Sequence, residues 1–409
     1  MSRDGVLKDL TQRGFLSVFL TIVNAFSWYF PLHSFFTSTL EGFQIEHTLV
    51  LEIYGAYYIG VILFAIVGTV IVHKLLSRKN LLIIWMLIGA VASLLLAPMT
   101  SMQNQETYLF VIAFTLGVSL GLGFPSCLAF FAEYGRAENR GKLGGITYCI
   151  SSVGIFAMAM LTIVLPSFEA LVIFAVWRII GLIVFSATTS RDRNSEDKSE
   201  IGYRQILKER TFILYFIPWL MFCLVNFLEG PVLRNFFGDD FFNLIPIMEF
   251  GIGGIAALIG GIFADLVGRK RIIIFGYVML GVGYAILGLF PNEIISWYLY
   301  ITVDGIAWGI FQLFFFLVIW GEIAENKTKD KFYLLGVMPF LASTYIELLV
   351  EPYARMISVF AAFSLASFFL FVAVLPLIYA PETLAEKTIK DRELKSYLEK
   401  AQKVKEKYA

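Results

Sequence analysis

Gly261-Ile-Phe-Ala-Asp265-Leu-Val-Gly268-Arg269-Lys270-Arg271 joins two long apolar stretches, and its charges have a counterpart far upstream. Ser77-Arg78-Lys79 sits in the same setting, with Arg78 and Arg269 191 residues apart. Glu133 precedes Arg140 by seven positions, Glu322 precedes Lys329 by seven, and the two acids are 189 residues apart. Cues that recur in one order at nearly one offset imply a chain of two related halves. In a membrane such repeats are what a machine needs if one half is to rock against the other.

Composition supports a membrane protein independently. Hydrophobic residues are 58% of the 409, charged residues 16%, and mean hydropathy is +0.76, all far from soluble averages. A spanning helix needs about 20 mainly apolar residues. Twelve such runs are present, at roughly 15–32, 49–72, 81–98, 107–131, 143–165, 168–189, 211–230, 242–264, 272–290, 296–320, 332–350 and 356–380.

Basic residues orient the thread. Of 32 Lys and Arg, all but Arg178, Arg234 and Arg355 fall on one side of a twelve-pass chain. Cytoplasmic loops collect these residues, so both termini are expected in the cytoplasm, with the chain in the cytoplasmic membrane. A miscounted helix would scramble the segregation, so the pattern also checks the count. No cleavable signal precedes the first span. Cys127, Cys149 and Cys223 all lie in apolar spans and read as packing residues. His33, His47 and His73 have no partner at metal spacing, so no metal and no cofactor are expected.

The longest polar stretch between spans, 190–210, divides the chain into bundles at 1–189 and 211–380 and reads as a cytoplasmic linker, helical near Tyr203–Arg210. In the tail, 381–409, Glu386 with Lys390 and Glu399 with Lys403 have the spacing of a solvated helix over roughly 384–407. Glycines cluster in the fourth, fifth and eighth spans, where small residues let helices approach closely. The eighth also carries an acid, Glu249.

Together these residues resemble a family. Gly261-x3-Asp265-x2-Gly268-Arg269-Lys270-Arg271 is similar to the signature loop between the second and third helices of each half in the major facilitator superfamily, departing at Leu266. In the first half only Arg78-Lys79 survive of that loop. Glu133-x6-Arg140-Gly141 and Glu322-x6-Lys329 resemble the acid–base positions that end the fourth and tenth helices of its sugar and metabolite porter branch. Pro381-Glu382-Thr383 resembles that branch's C-terminal motif. The resemblance implies an all-α integral membrane fold of twelve transmembrane helices in two pseudo-symmetric six-helix bundles. It also implies that the first, fourth, seventh and tenth helices line the transport path. Asn24 stands where many porters carry a proton-coupling Asp, and the linker lacks the porters' Pro-Glu-Ser type motif.

Two sets of candidate residues follow. For gating at the cytoplasmic end they are Gly261, Asp265, Gly268, Arg269, Lys270, Arg271, Arg78, Lys79, Glu133, Arg140, Gly141, Glu322 and Lys329, with basic groups pairing to Glu322 in one half and to Glu133 in the other. Acids and bases at helix ends also serve topology alone; the repetition in both halves favours gating. For substrate or proton coupling, an intramembrane charge is costly and marks a cavity or a partner. Asp304 lies about 12 Å into the tenth span by helical rise, and Trp308 and Gln312 follow at i+4 and i+8. Glu347 lies in the outer half, Asn226 is one turn deeper than a rim residue Glu229, and Asn24 and Trp28 offer a polar and aromatic surface. Arg178 reads either as a counter-charge for an organic anion or, beside Trp177, as an interfacial residue.

The function expected is secondary transport of a small solute (metabolite, organic acid or sugar-like) by alternating access, coupled to protons as in symport, by a monomer in the lipid bilayer. A multidrug or metabolite efflux carrier is the rival within the class; a sensor without flux is the rival outside it. No nucleotide-binding Gly-rich loop is present, and no nucleic-acid partner is expected. An embedded enzyme would need a nucleophile with its base or clustered ligands at one depth, which the scattered His and Cys do not supply.

Overall fold

The structure is a computed structural model. It describes residues 13–384 apart from 44, 100–104, 135–136, 190–200, 239–243, 325–328 and 355, together with Leu394. Most of the polar linker and the expected tail helix lie outside the described residues. Twelve described helices are long and apolar enough to cross a membrane. They are α1 Arg13–Glu41, α2 His47–Lys74, α3 Arg78–Leu95, α4 Glu106–Tyr134, α5 Arg140–Val164 and α6 Ser167–Thr188, then α7 Arg210–Phe237, α8 Leu244–Val267, α9 Arg269–Leu289, α10 Ile294–Ile323, α11 Lys329–Ala354 and α12 Val359–Tyr379. A short helix, Tyr203–Ile206, precedes α7, and no strand occurs among the described residues.

Packing repeats between the halves. α1 packs on α5 and α6 as α7 does on α11 and α12; α2 packs on α4 as α8 does on α10; α3 packs on α6 as α9 does on α12. Across the halves α5 meets α8 and α2 meets α11. Glycines make these seams close. A Cβ on Gly141 would stand 2.7 Å from the Gly261 carbonyl oxygen, so α5 and α8 touch backbone to backbone. Large apolar side chains such as Ile163, Ile295 and Phe368 stay exposed on the outer faces, as lipid contact requires.

Two helices run well past the expected ends. α1 reaches Glu41 rather than about 32, and α7 reaches Phe237 rather than about 230, each through an internal proline, Pro31 and Pro231. In a membrane bundle neighbouring helices re-satisfy the groups a proline frees. Both α4 and α10 are interrupted at matching points. α4 turns at Leu122–Gly123, and α10 widens into a π-helical stretch at Leu313–Val318. Leu122 and Leu313 are 191 residues apart, the offset of Arg78 and Arg269.

Candidate functional site

Two sites emerge, at different depths. The first lies at the end of the bundle where α5, α9 and α11 begin and α8 and α10 finish. Asp265, one turn before the end of α8, accepts the Gly141 N–H at 3.1 Å and the Lys142 N–H at 2.9 Å. Those N–H groups open α5, where a helix N-terminus favours an anion. The same carboxylate pairs with Arg269 at 2.8 Å. Arg269 also reaches Glu322 at 3.4 Å, and Arg140 from the other half reaches Glu322 at 3.6 Å. Arg78 binds both Glu133 of its own half and Asp330 of the other. Lys79 donates to the Thr189 carbonyl at 2.6 Å, Lys329 is buried at the start of α11, and Arg271 is exposed.

Gly268 sits at φ 103°, the left-handed region that favours glycine, so α9 can start directly after α8 without a side-chain cap of its own. Glu382 supplies the cap instead. It accepts the backbone N–H of Arg269 at 2.8 Å and of Lys270 at 3.1 Å, while Lys270 Nζ holds the Ala380 carbonyl at 2.9 Å. The adjacent Thr383 hydroxyl donates to Glu322 at 2.6 Å. The sequence expectation paired Glu322 and Glu133 with basic groups; Asp330 and the role of Asp265 as a cap across the halves were missed. A cap contact between segments 124 residues apart leaves no local spacing to read.

The second site is a cavity of about 230 Å³ in mid-bundle. Asp304, Trp308 and Gln312 of α10, Asn226 of α7 and Glu347 of α11 all line it. Glu249 of α8, noted in sequence only as an acid in a glycine-rich span, lines it too, so its carboxyl and that of Asp304 open on one space. Asp304 is 1% exposed, and its Oδ1 has no hydrogen-bond partner; neither does the buried Trp308 indole N–H. Gln312 accepts from Tyr148 of α5, which ties the cavity floor to the other half. A larger groove of about 540 Å³ between α8, α9 and α10 is lined by apolar residues alone, several of them exposed on the outer face. It offers nothing to orient a polar solute.

Three expected site residues lie elsewhere. Asn24, Trp28 and Arg178 form a packed cluster inside the first half. Arg178 is fully buried rather than interfacial, with its guanidinium 4.5 Å from the Trp28 ring and 4.4 Å from the Trp85 ring. It donates to Asn24 Oδ1 at 2.8 Å, Asn24 donates to the Trp177 carbonyl at 2.7 Å, and the Trp28 indole donates to Ser93 at 2.8 Å. Asn24 and Trp28 thus direct their polar groups into the bundle rather than toward a path. Glu229 is likewise buried rather than at a rim, because α7 continues past it for two further turns. His33 stacks between Tyr29 and Tyr57.

A family model of the Major Facilitator Superfamily matches residues 17–319. The chain belongs to the Major Facilitator Superfamily. Its fold resembles the superfamily transporter FucP in an outward conformation, at TM-score 0.70 and 12% identity over 91% of this chain and 100% of FucP. A second FucP structure, from E. coli and described as a fucose:proton symporter, gives TM-score 0.66 at 12% identity, covering 89% of this chain and 98% of FucP. The proton:xylose symporter XylE, bound to 6-bromo-6-deoxy-D-glucose, gives TM-score 0.65 at 13% identity over 93% and 97% of the two chains. At these identities the likeness is one of fold. No curated protein matches by sequence. Being a superfamily member, this multi-pass membrane protein is a transporter of small solutes by family rather than an enzyme.

Proposed function

We propose that the chain is a proton-coupled secondary transporter that carries one small solute at a time through the Asp304 cavity by alternating access. Both termini and the Arg78–Asp265 end face the cytoplasm. The observation that carries the reading is the Asp304–Glu249 carboxyl pair in the cavity wall, with one Asp304 oxygen unspent. A proton exchanged there changes the charge of the space a solute must enter.

The salt-bridge network is the proposed gate. Arg78–Asp330, Arg140–Glu322 and the Asp265 cap on α5 cross the halves, so rocking must break them. Arg78–Glu133, Arg269–Asp265 and Arg269–Glu322 lie within a half and keep those charges paired when the crossing contacts part. Breaking a buried pair outright would cost about 3–5 kcal/mol; a retained partner lowers that barrier. Drug-sized ligand sites run to roughly 300–1,000 Å³, so a cavity of about 230 Å³ favours a small solute over the multidrug alternative.

Reconstitution tests this. Liposomes carrying the protein should accumulate or release solute in response to an imposed proton gradient, and Asp304→Asn should abolish that response. Flux indifferent to the gradient in both proteins would remove Asp304 from coupling.

A further inference from the structure

The cavity wall has a sign. Three of its lining residues, Glu249, Asp304 and Glu347, are acids, and none is Lys, Arg or His. Arg234, at the outer end of α7 and outside the lining, is 38% exposed and pairs with Glu41 of α1 at 3.6 Å. An organic acid would meet three carboxyl groups and no basic side chain among the lining residues, which argues against the organic acid allowed by the sequence.

Half of the other lining residues are aromatic. Phe30, Phe227, Phe250, Trp308 and Phe340 come from five different helices and meet one another around the cavity. Phe30 lies 5.2 Å from Phe250, Phe227 lies 5.8 Å from Phe340, and Trp308 lies 6.1 Å from Phe340, all at steep interplanar angles. Aromatic faces around a space attract a cation through their quadrupoles, and such cages suit organic ammonium groups. A metal ion fits less well. Among the described residues no three His, Cys, Asp or Glu come together as a metal site. Independently of the acids, the buried Asp304 Oδ1 has no partner in the protein. An acceptor left open in a cage of rings is completed by a small ammonium ion.

We infer that the solute is a small organic cation, and that it and a proton compete for the Asp304–Glu249 pair. This rests on the transport reading above and specifies its substrate. The step balances simply: a protonated carboxyl of the pair gives its proton to water as the ammonium ion arrives, and the bound charge is unchanged. Coupling is then exchange, cation in one direction and proton in the other, rather than co-transport. The groups facing the pair are Glu229 of α7, Tyr284 of α9, Tyr300 of α10 and Tyr148 of α5. Glu347 faces it from α11, with Glu351, Glu41 and Arg234 beyond at the mouth. None of the groups in immediate contact is a base that could take the ammonium ion's place.

The full-length protein in detergent is titrated with choline and with its uncharged carbon isostere dimethylbutanol. Tetramethylammonium, phenethylammonium, D-xylose, L-fucose and acetate complete the series. The inference predicts that choline or another of the ammonium ions binds about tenfold or more tightly than the matched neutral molecule. It also predicts release of about one proton per ion bound in weakly buffered solution. Glu249→Gln and Asp304→Asn should each abolish the proton release, and Phe340→Leu, which keeps apolar volume but removes a ring, should weaken cations several-fold and leave neutral solutes unchanged. Failure of all three ammonium ions to bind, or equal binding of choline and dimethylbutanol, overturns the inference without needing any variant. A carrier that moves sugars or acetate with protons and ignores ammonium ions would overturn it while leaving proton-coupled transport intact. Ammonium ions that bind but never cross a liposome membrane would support the cation site and sink the transport reading.

Discussion

Asp265 and Gly141 meet across the two halves of the bundle, the carboxylate on α8 accepting the N–H of a residue in the first turn of α5 at 3.1 Å. A charge thus sits on the N-terminal end of a helix it does not share a half with, and in the proposed rocking motion the contact must part when that end opens. Such an anion at a helix start is worth about 0.3–2 kcal/mol, enough to bias a rocking equilibrium.

Asp265→Asn should therefore weaken the closed gate without unfolding the chain. Asparagine retains an acceptor, and Arg269 keeps Glu322 and the Ala264 carbonyl. Flux is expected to fall about tenfold, the factor that corresponds to about 1.4 kcal/mol of state balance. Thermal midpoint and yield should stay near wild type. Normal flux would contradict a gating role.

Glu322→Gln should act on stability instead. Its carboxylate serves Arg140, Arg269 and the Thr383 hydroxyl together, so amidation weakens three buried contacts at once, although Arg269 keeps Asp265. A loss of about 1–3 kcal/mol is expected, read as a drop in thermal midpoint. Thr383→Val, which removes one hydrogen bond, should cost only about 1 kcal/mol.

Gly141→Ala places a methyl group 2.7 Å from both the Gly261 carbonyl and Asp265 Oδ1. Backbone cannot yield as a side chain would, so α5 and α8 must part. A cysteine placed at the buried Leu313, with native cysteines replaced, should become reactive to maleimide in this variant and stay protected otherwise. Equal protection in both would show that the seam does not gate access.

Arg178→Ala separates structure from transport. The substitution empties the slot between Trp28 and Trp85 and removes the partner of Asn24. A stability loss of about 2–4 kcal/mol is expected from the lost packing, with affinity for the cavity's solute unchanged. A selective loss of affinity would return Arg178 to the transport path.

The architecture was legible because it is written in composition and in a repeat. Twelve apolar runs and the one-sided basic residues need no tertiary information, and the 191-residue offset between Arg78 and Arg269 announces two halves before any contact is known. Asp304 could be singled out because an acid deep in an apolar run is too costly to face lipid and must meet a cavity or a partner. Glu249 was harder: it lies almost as deep in its run as Asp304, but the eighth helix is outside the set that the resemblance implies for the path, and only the packing of α8 on α10 brings the two acids to one cavity. Arg178, Asn24 and Trp28 look like path residues by type, and only their mutual contacts reveal them as a bundle lock. Helix ends were misjudged at Pro31 and Pro231, where tertiary packing overrides the usual meaning of proline.

Alternating access itself is tested most directly by paired spin-label distances in liposomes. One pair, at Leu75 and Leu266, spans the gate end; the other, at Thr48 and Leu349, spans the opposite end. All four sites lie at exposed positions. Shifting pH or adding a transported solute should lengthen the first distance as it shortens the second, in anticorrelated populations. Distances that stay fixed, or that change in the same sense at both ends, would contradict a rocking carrier.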